Sequence, residues 1–145
     1  MNIAHVAQEI AQRAHNGQFR RDGVTPYAVH PERVAKRLSG DEEAEAVAWL
    51  HDVLEDTDET AETLALAGVP ASVIAAVQIL TKTPGVAYTD YLCAVRANPL
   101  ARKVKIQDML DNLSDSPSEK QIIKYSRGFL ALLTDGAEHA TVKDI

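Results

Sequence analysis

The sequence has little cysteine, few aromatic side chains and a deficit of positive charge. The shortages of cysteine and of positive charge argue against particular classes of protein. Its single cysteine, Cys93, cannot form an internal disulfide. The formal net charge of −6 argues against a general nucleic-acid binder, which needs a basic face that releases counterions. No apolar stretch approaches the roughly 20 residues of a membrane-spanning helix, and the N-terminus lacks the pattern of a signal peptide. We therefore expect a cytoplasmic protein with no membrane or nucleic-acid partner.

What the chain does have is small aliphatic residues in abundance. Hydrophobic residues make up 46% of the sequence while aromatic residues make up 5%, a mixture that favours closely packed helices. No stretch alternates with a period of two, so no strand is predicted. The length of 145 residues is that of one ordinary domain. We predict that residues 1–145 form a single all-α domain.

Capping residues and apolar periodicity place the helices. Asn2, Asp41 and Ser118 are expected N-caps, while Pro31 and Pro70 are expected to begin helices. The predicted bundle has about seven to eight helices, whose approximate ranges are 3–16, 31–38, 42–54, 61–67, 70–80, 89–97, 99–113 and 119–133. The third should cross the core, and the tail beyond residue 135 should be loosely packed.

The run from His51 to Asp56 carries the strongest chemical signal. It places four ionisable side chains in a helix that should be buried, where unpaired carboxylates are costly. On a helix, His51 and Glu55 share a face, and Asp52 and Asp56 share the next one. Such a cluster indicates a metal, a hydrogen-bonded network or an active site. The alternative is a solvated helix end with His51 as a structural histidine.

Two further positions favour the metal. His30 lies where a loop meets a predicted helix, and Asp108 lies within another predicted helix. Together with His51 and Asp52 they form a nitrogen and oxygen ligand set that suits Mn²⁺, with Fe²⁺, Co²⁺ or Zn²⁺ as other occupants. Four protein ligands leave positions for water and for a phosphoryl oxygen, as metal-assisted hydrolysis requires.

Local positive charge offers contacts for an anionic substrate. Arg20 and Arg21 form one basic spot and the run that contains Lys105 forms another, although paired basic residues also occur on plain solvated surfaces. The Pro84-Gly85 loop, with Lys82 before it and Tyr88 and Tyr91 after it, either rims the site or is ordinary surface.

The ordered pattern His30, His51-Asp52, Asp108 resembles that of the HD superfamily of metal-dependent phosphohydrolases. The longer match comprises Ala14-His15-x-Gly17-Gln18-x-Arg20-Arg21-Asp22-Gly23, Pro26-Tyr27-x-x-His30-Pro31 and Leu50-His51-Asp52-Val53-x-Glu55-Asp56-Thr57. These segments are similar to the hydrolase domain of RelA/SpoT proteins and to their small stand-alone relatives. The resemblance covers nearly the whole chain and implies an HD-type helical bundle.

The resemblance also implies roles for individual residues. The ligands of one Mn²⁺ would be His30, His51, Asp52 and Asp108. The pair that positions and activates the hydrolytic water would be Glu55 and Asp56. The residues that contact the nucleotide would be Arg20, Arg21, Tyr27 and Asn112, and Lys105 is a further candidate for this group.

The implied activity is removal of the 3′-pyrophosphate from the nucleotide ppGpp, the alarmone of the stringent response. Two alternatives use the same fold. One is a phosphomonoesterase acting on another nucleotide, such as a deoxynucleotide or the 2′-phosphate of NADPH, and the other is a non-catalytic HD-fold nucleotide-binding module. A helical bundle without any metal is a third. Ala-rich helix faces permit a monomer or a homodimer.

Overall fold

Helices and loops make up residues 2–134, the part of the chain that the computed structural model describes. The helical segments are α1 (Ile3–Ala14), α2 (Val29–Arg37), α3 (Glu42–Leu50), α4 (Val53–Asp56), α5 (Ala61–Leu66), α6 (Ala71–Leu80), α7 (Tyr88–Ala97), α8 (Pro99–Leu113) and α9 (Glu119–Leu133). Apart from one isolated bridge between Phe19 and Pro26, these residues contain no β-structure. The predicted all-α class is confirmed, whereas the tail beyond residue 135 lies outside the described part.

The N-caps predicted from the sequence are present. The side chains of Asn2, Asp41 and Ser118 each accept a hydrogen bond from the backbone N–H three residues later. A cap of this kind stabilises its helix by about 1 kcal/mol, because it satisfies an N–H that has no partner within the helix. Helices α1, α3 and α9 therefore begin where the sequence indicates.

Helix α3 forms the centre of the bundle. It packs against α1, α2, α6 and α8, and its small residues Ala44, Ala46 and Ala48 are completely buried. Alanine lets neighbouring helices approach closely on several sides of the same helix. Trp49 is 6% exposed and fills the core, as expected for this residue. No helix in residues 2–134 combines the length and apolar character that a bilayer crossing demands.

The predicted third helix is interrupted at the His51-Asp52 pair. Helix α3 ends at Leu50 and helix α4 resumes at Val53 as a single turn, with Asp52 at φ −108° and ψ −2° between them. Consecutive side chains on a regular helix diverge by about 100°. At the break, His51 Nε2 and Asp52 Oδ2 lie 3.1 Å apart, and the break adds one segment to the expected helix count.

Helix α2 begins earlier than predicted, at Val29 rather than Pro31. Proline is tolerated in a first turn because its missing N–H would have no helical partner there. His30 therefore lies inside the first turn of α2, where the helix fixes its direction towards α8.

Candidate active site

Four candidate metal ligands converge from three parts of the chain. His30 comes from α2, Asp108 from α8, and His51 and Asp52 from the break between α3 and α4. His30 Nε2 lies 2.8 Å from Asp108 Oδ1 and 3.9 Å from Asp52 Oδ2, and His51 Nε2 lies 3.1 Å from Asp52 Oδ2 and 3.4 Å from Asp108 Oδ1. The structure thus brings together all four residues that the sequence predicted as ligands.

Hydrogen bonds fix which nitrogen of each histidine faces this cluster. His51 Nδ1 donates to the carbonyl oxygen of Ala48 at 2.6 Å, and His30 Nδ1 donates to Asp111 Oδ2 at 2.7 Å. Each Nε2 then faces Asp52 and Asp108: that of His30 lies within hydrogen-bond distance of Asp108 Oδ1, and that of His51 is buried without a hydrogen-bond partner. A carboxylate or carbonyl behind a histidine is the usual support of a metal ligand.

The charges of the cluster suit a bound cation. Burial opposes protonation of His51, but the carboxylates of Asp52 and Asp108 outweigh it and raise the His51 pKa well above its ordinary value. Burial likewise opposes ionisation of Asp52, yet His51 lowers the pKa of Asp52 to about 2. Single ligand atoms of His30, His51 and Asp52 lie within 4.8 Å of one another. The donor set therefore fits a divalent ion of the first transition row.

Glu55 and Asp56 lie beside Asp52, and one carboxylate oxygen from each of the three falls within 4.8 Å of the others. Burial, followed by the negative charge of Asp52, raises the pKa of Asp56. Burial also raises the pKa of Glu55, with Asp52 contributing in the same direction. Glu55 Oε1 accepts a hydrogen bond of 2.6 Å from the backbone N–H of Lys82. The two acids are thus held next to the ligands with raised proton affinity.

Three of the residues predicted to bind substrate contact the candidate ligands directly. The Tyr27 hydroxyl donates to Asp52 Oδ2 at 2.5 Å. Lys105 Nζ lies 3.0 Å from Asp108 Oδ2, and Asn112 Nδ2 donates to Asp108 Oδ1 at 3.2 Å. These contacts orient the two carboxylates and neutralise part of their charge.

Arg20 and Arg21 lie on one side of the cluster, where the protein itself supplies their partners. Two nitrogens of the Arg20 guanidinium group, Nε and Nη2, lie 3.1 Å and 3.0 Å from Asp115 Oδ2. Arg21 donates to Gln121 Oε1 at 2.8 Å and to the carbonyl oxygen of Asp115 at 3.0 Å. We call the pocket of about 160 Å³ lined by Arg20, Arg21, Tyr27, Asn112 and Gln121 the arginine pocket.

A second pocket opens on the other side of the cluster, also with a volume of about 160 Å³. We call it the lysine pocket, and its lining includes Lys82, Lys105, Lys124, Tyr88, Tyr91 and the acidic residues Asp52, Glu55 and Asp108. The structure thereby places Lys82, Tyr88 and Tyr91 at the rim of the site.

Comparisons with known proteins found relatives in sequence and in fold, although no family model matches the chain. A guanosine-3′,5′-bis(diphosphate) 3′-pyrophosphohydrolase of Haemophilus influenzae is 52% identical over 58 residues, which cover 38% of this chain and 8% of that protein. The protein of the same name from Aquifex aeolicus is 33% identical over 118 residues, covering 74% of this chain and 17% of that protein. The chain therefore spans less than a fifth of the length of these relatives.

A solved structure of a metazoan ortholog of SpoT that hydrolyses ppGpp has the same fold. It superposes with a TM-score of 0.74 and 24% sequence identity, over 91% of this chain and 84% of that one. The resemblance to the SpoT/RelA family is confirmed. The HD-type helical bundle expected of a SpoT/RelA hydrolase domain is confirmed with it.

Sequence reasoning did not anticipate three features of this SpoT/RelA-like site. Lys124 and Gln121, both on α9, line the two pockets. Asp111 is completely buried and supports His30 from behind. Asp111 follows Asp108 by three residues on α8, so helical spacing alone places both on one side and could have suggested the second contact. No local pattern marks Lys124, and the capping box with Ser118 marks Gln121 only as part of the start of α9.

Proposed function

We propose that this chain is a metal-dependent phosphohydrolase that removes the 3′-pyrophosphate of ppGpp, with residues 1–145 forming one HD domain. The convergence of His30, His51, Asp52 and Asp108 beside two further acids is the observation that supports it. The names of the two bacterial relatives describe the same activity. We further propose a cytoplasmic monomer or homodimer that has no nucleic-acid partner.

His30, His51, Asp52 and Asp108 would hold the divalent ion, which we propose to be Mn²⁺. Two imidazole nitrogens and two carboxylates match its preference for mixed nitrogen and oxygen donors. When bound, the ion supplies Lewis acidity that lowers the pKa of water and offsets negative charge on phosphoryl oxygens. Asp111 and the Ala48 carbonyl keep the imidazoles in the required tautomer.

Glu55 and Asp56 would accept the proton of the attacking water. Their raised pKa values suit this role, since a general base works best when its pKa approaches the operating pH. The water oxygen forms a bond to the inner phosphorus, and the bond from that phosphorus to the ribose 3′ oxygen breaks. The ribose oxygen takes up a proton, and the products are GDP and pyrophosphate.

The arginine pocket would receive the nucleoside, with Arg20 and Arg21 at its wall. A guanidinium that is already held in plane by Asp115 and Gln121 can still present its face to a nucleobase. Tyr27 and Asn112 would contact the nucleotide while holding Asp52 and Asp108. Lys105 would act beside Asp108, facing the lysine pocket.

A product assay tests the proposal. Protein purified without chelator is incubated with Mn²⁺ and ppGpp, and the products are separated by ion-exchange chromatography. We expect GDP and pyrophosphate in equal amounts, and none from the His51→Ala variant, whose metal content is measured in parallel. Orthophosphate as the sole phosphate product, or turnover of nucleoside monophosphates alone, would establish the phosphomonoesterase instead. Tight nucleotide binding without any product would establish the binding module.

A further inference from the structure

The lysine pocket brings three ammonium groups from separate elements to one small space. Lys82 lies in the loop after α6, Lys105 lies on α8 and Lys124 lies on α9. The same lining contains the candidate ligands Asp52 and Asp108. The pocket therefore brings basic side chains and the candidate ligands into one small space.

Among the described residues, one of these three lysines has a carboxylate partner and the other two have none. Lys105 pairs with Asp108 Oδ2 at 3.0 Å. Within residues 2–134, the lysines that form ion pairs within 4.0 Å are Lys36, Lys103 and Lys105, so Lys82 and Lys124 have no carboxylate partner there. Like charges at close range are unfavourable. An anion placed between Lys82 and Lys124 would remove that repulsion.

The position of Lys124 is defined by its neighbours. Its ammonium lies 5.0 Å from the ring centre of Tyr88 and 5.6 Å from that of Tyr125, which are favourable cation–π distances. Burial, followed by the positive charges of Lys105 and Lys82, lowers the pKa of Lys124. The aromatic rings thus hold a cation close to other cations at the mouth of the pocket.

The lysine pocket is small, with a volume of about 160 Å³. A compact anion such as a phosphate group fits a space of this order.

This inference rests on the proposed function. We propose that Lys82 and Lys124 bind the outer phosphate of a diphosphate ester whose inner phosphate lies at the His51-Asp52 cluster. The pair then selects diphosphate esters over monophosphate esters, because only a diphosphate has a second phosphate to place at the two lysines. After cleavage, both phosphoryl groups remain together in this pocket as pyrophosphate.

The test measures binding of inorganic pyrophosphate and of orthophosphate to Mn²⁺-loaded protein by calorimetry, after unbound Mn²⁺ has been removed. The variants are Lys82→Met and Lys124→Met, with Lys120→Met as the matched control, since Lys120 lies on α9 but lines the neighbouring groove between α7 and α9. Metal content and Tm are recorded for each variant. Lys124→Arg keeps the charge and should retain most of the affinity.

We expect each lysine variant to weaken pyrophosphate binding about tenfold, which is the loss of one charge-assisted contact. Orthophosphate affinity and the Lys120→Met control should change less than about twofold. Equal losses for pyrophosphate and orthophosphate, or no loss, would overturn the inference. Pyrophosphate binding does not require turnover, so lysine-dependent binding without ppGpp hydrolysis would reject the proposed function and keep the inference. Hydrolysis of ppGpp together with unchanged pyrophosphate affinity in both variants would support the proposed function and reject the inference.

Discussion

The arginine pocket and the lysine pocket flank the same candidate metal site, and both carry positive charge, but they use it differently. On the arginine side, Asp115 and Gln121 already engage Arg20 and Arg21. On the lysine side, Lys82 and Lys124 have no such partner in the described chain. A positive side chain near an active site is therefore not by itself a ligand contact. Its existing partners separate a residue that shapes the pocket from one that is available to an anion.

Replacement of Glu55, a proposed proton acceptor, should have the largest effect in this comparison. Glu55→Gln removes the charge of the carboxylate while its amide oxygen can still accept from the Lys82 N–H. We expect kcat to fall by about 10²- to 10⁴-fold, the usual contribution of general base catalysis, with Mn²⁺ content unchanged. Steady-state kinetics and elemental analysis measure the two quantities.

Asp56→Asn provides the companion measurement, and Asp58→Asn provides the charge-matched control, since Asp58 is exposed and does not line either pocket. A fall in kcat for Asp56→Asn alone would transfer the role of base from Glu55 to Asp56. Full activity in both site variants would remove proton transfer from these residues altogether.

The support behind His30 belongs to the arginine side and should affect metal affinity. Asp111→Asn removes the charge that accepts from His30 Nδ1 and that pairs with Arg33 Nε at 2.8 Å. We expect Mn²⁺ affinity to fall by about 10- to 100-fold, as found when the partner of a metal-binding histidine is lost. Calorimetric titration of metal-free protein measures it, with Asp90→Asn on α7 as the control. An unchanged affinity would mean that the Asp111 carboxylate does not support metal binding through His30.

The smallest expected effect comes from releasing an arginine. Asp115→Asn frees Arg20 from its principal partner, so its guanidinium becomes available to an anionic nucleotide. Because Asp115 is 41% exposed on its side chain, solvent weakens the pair, and we expect KM for ppGpp to fall by at most about fivefold. The gain should disappear at high salt. A rise in KM would show that the ion pair holds Arg20 in its binding position.

Local sequence signals predicted the parts of this structure that depend on neighbouring residues. Helices α8 and α9 have the predicted bounds, because Pro99 and Ser118 mark their starts through backbone chemistry. The convergence of His30, His51, Asp52 and Asp108 was expected from ligand chemistry and from the family resemblance. Their assignment as ligands stays a prediction until metal binding is measured.

Features that depend on contacts between distant segments escaped prediction. The helix break at Asp52 goes with the contact from Tyr27, 25 residues earlier in the chain. The partners of Arg20 and Arg21 lie 94 to 100 residues away. The periodicity of a single helix carries no information about contacts over such sequence separations. An arginine with a carboxylate partner and one without therefore look alike in the sequence.

One hydrogen bond links Glu55, a proposed proton acceptor, to the surface loop that contains Lys82. The amide that holds Glu55 belongs to Lys82, whose side chain enters the adjacent pocket. Lengthening or shortening the connection between α6 and α7 would therefore displace Glu55 together with the side chain of Lys82. We expect homologues to diversify this loop far less freely than its exposed position on the surface would suggest.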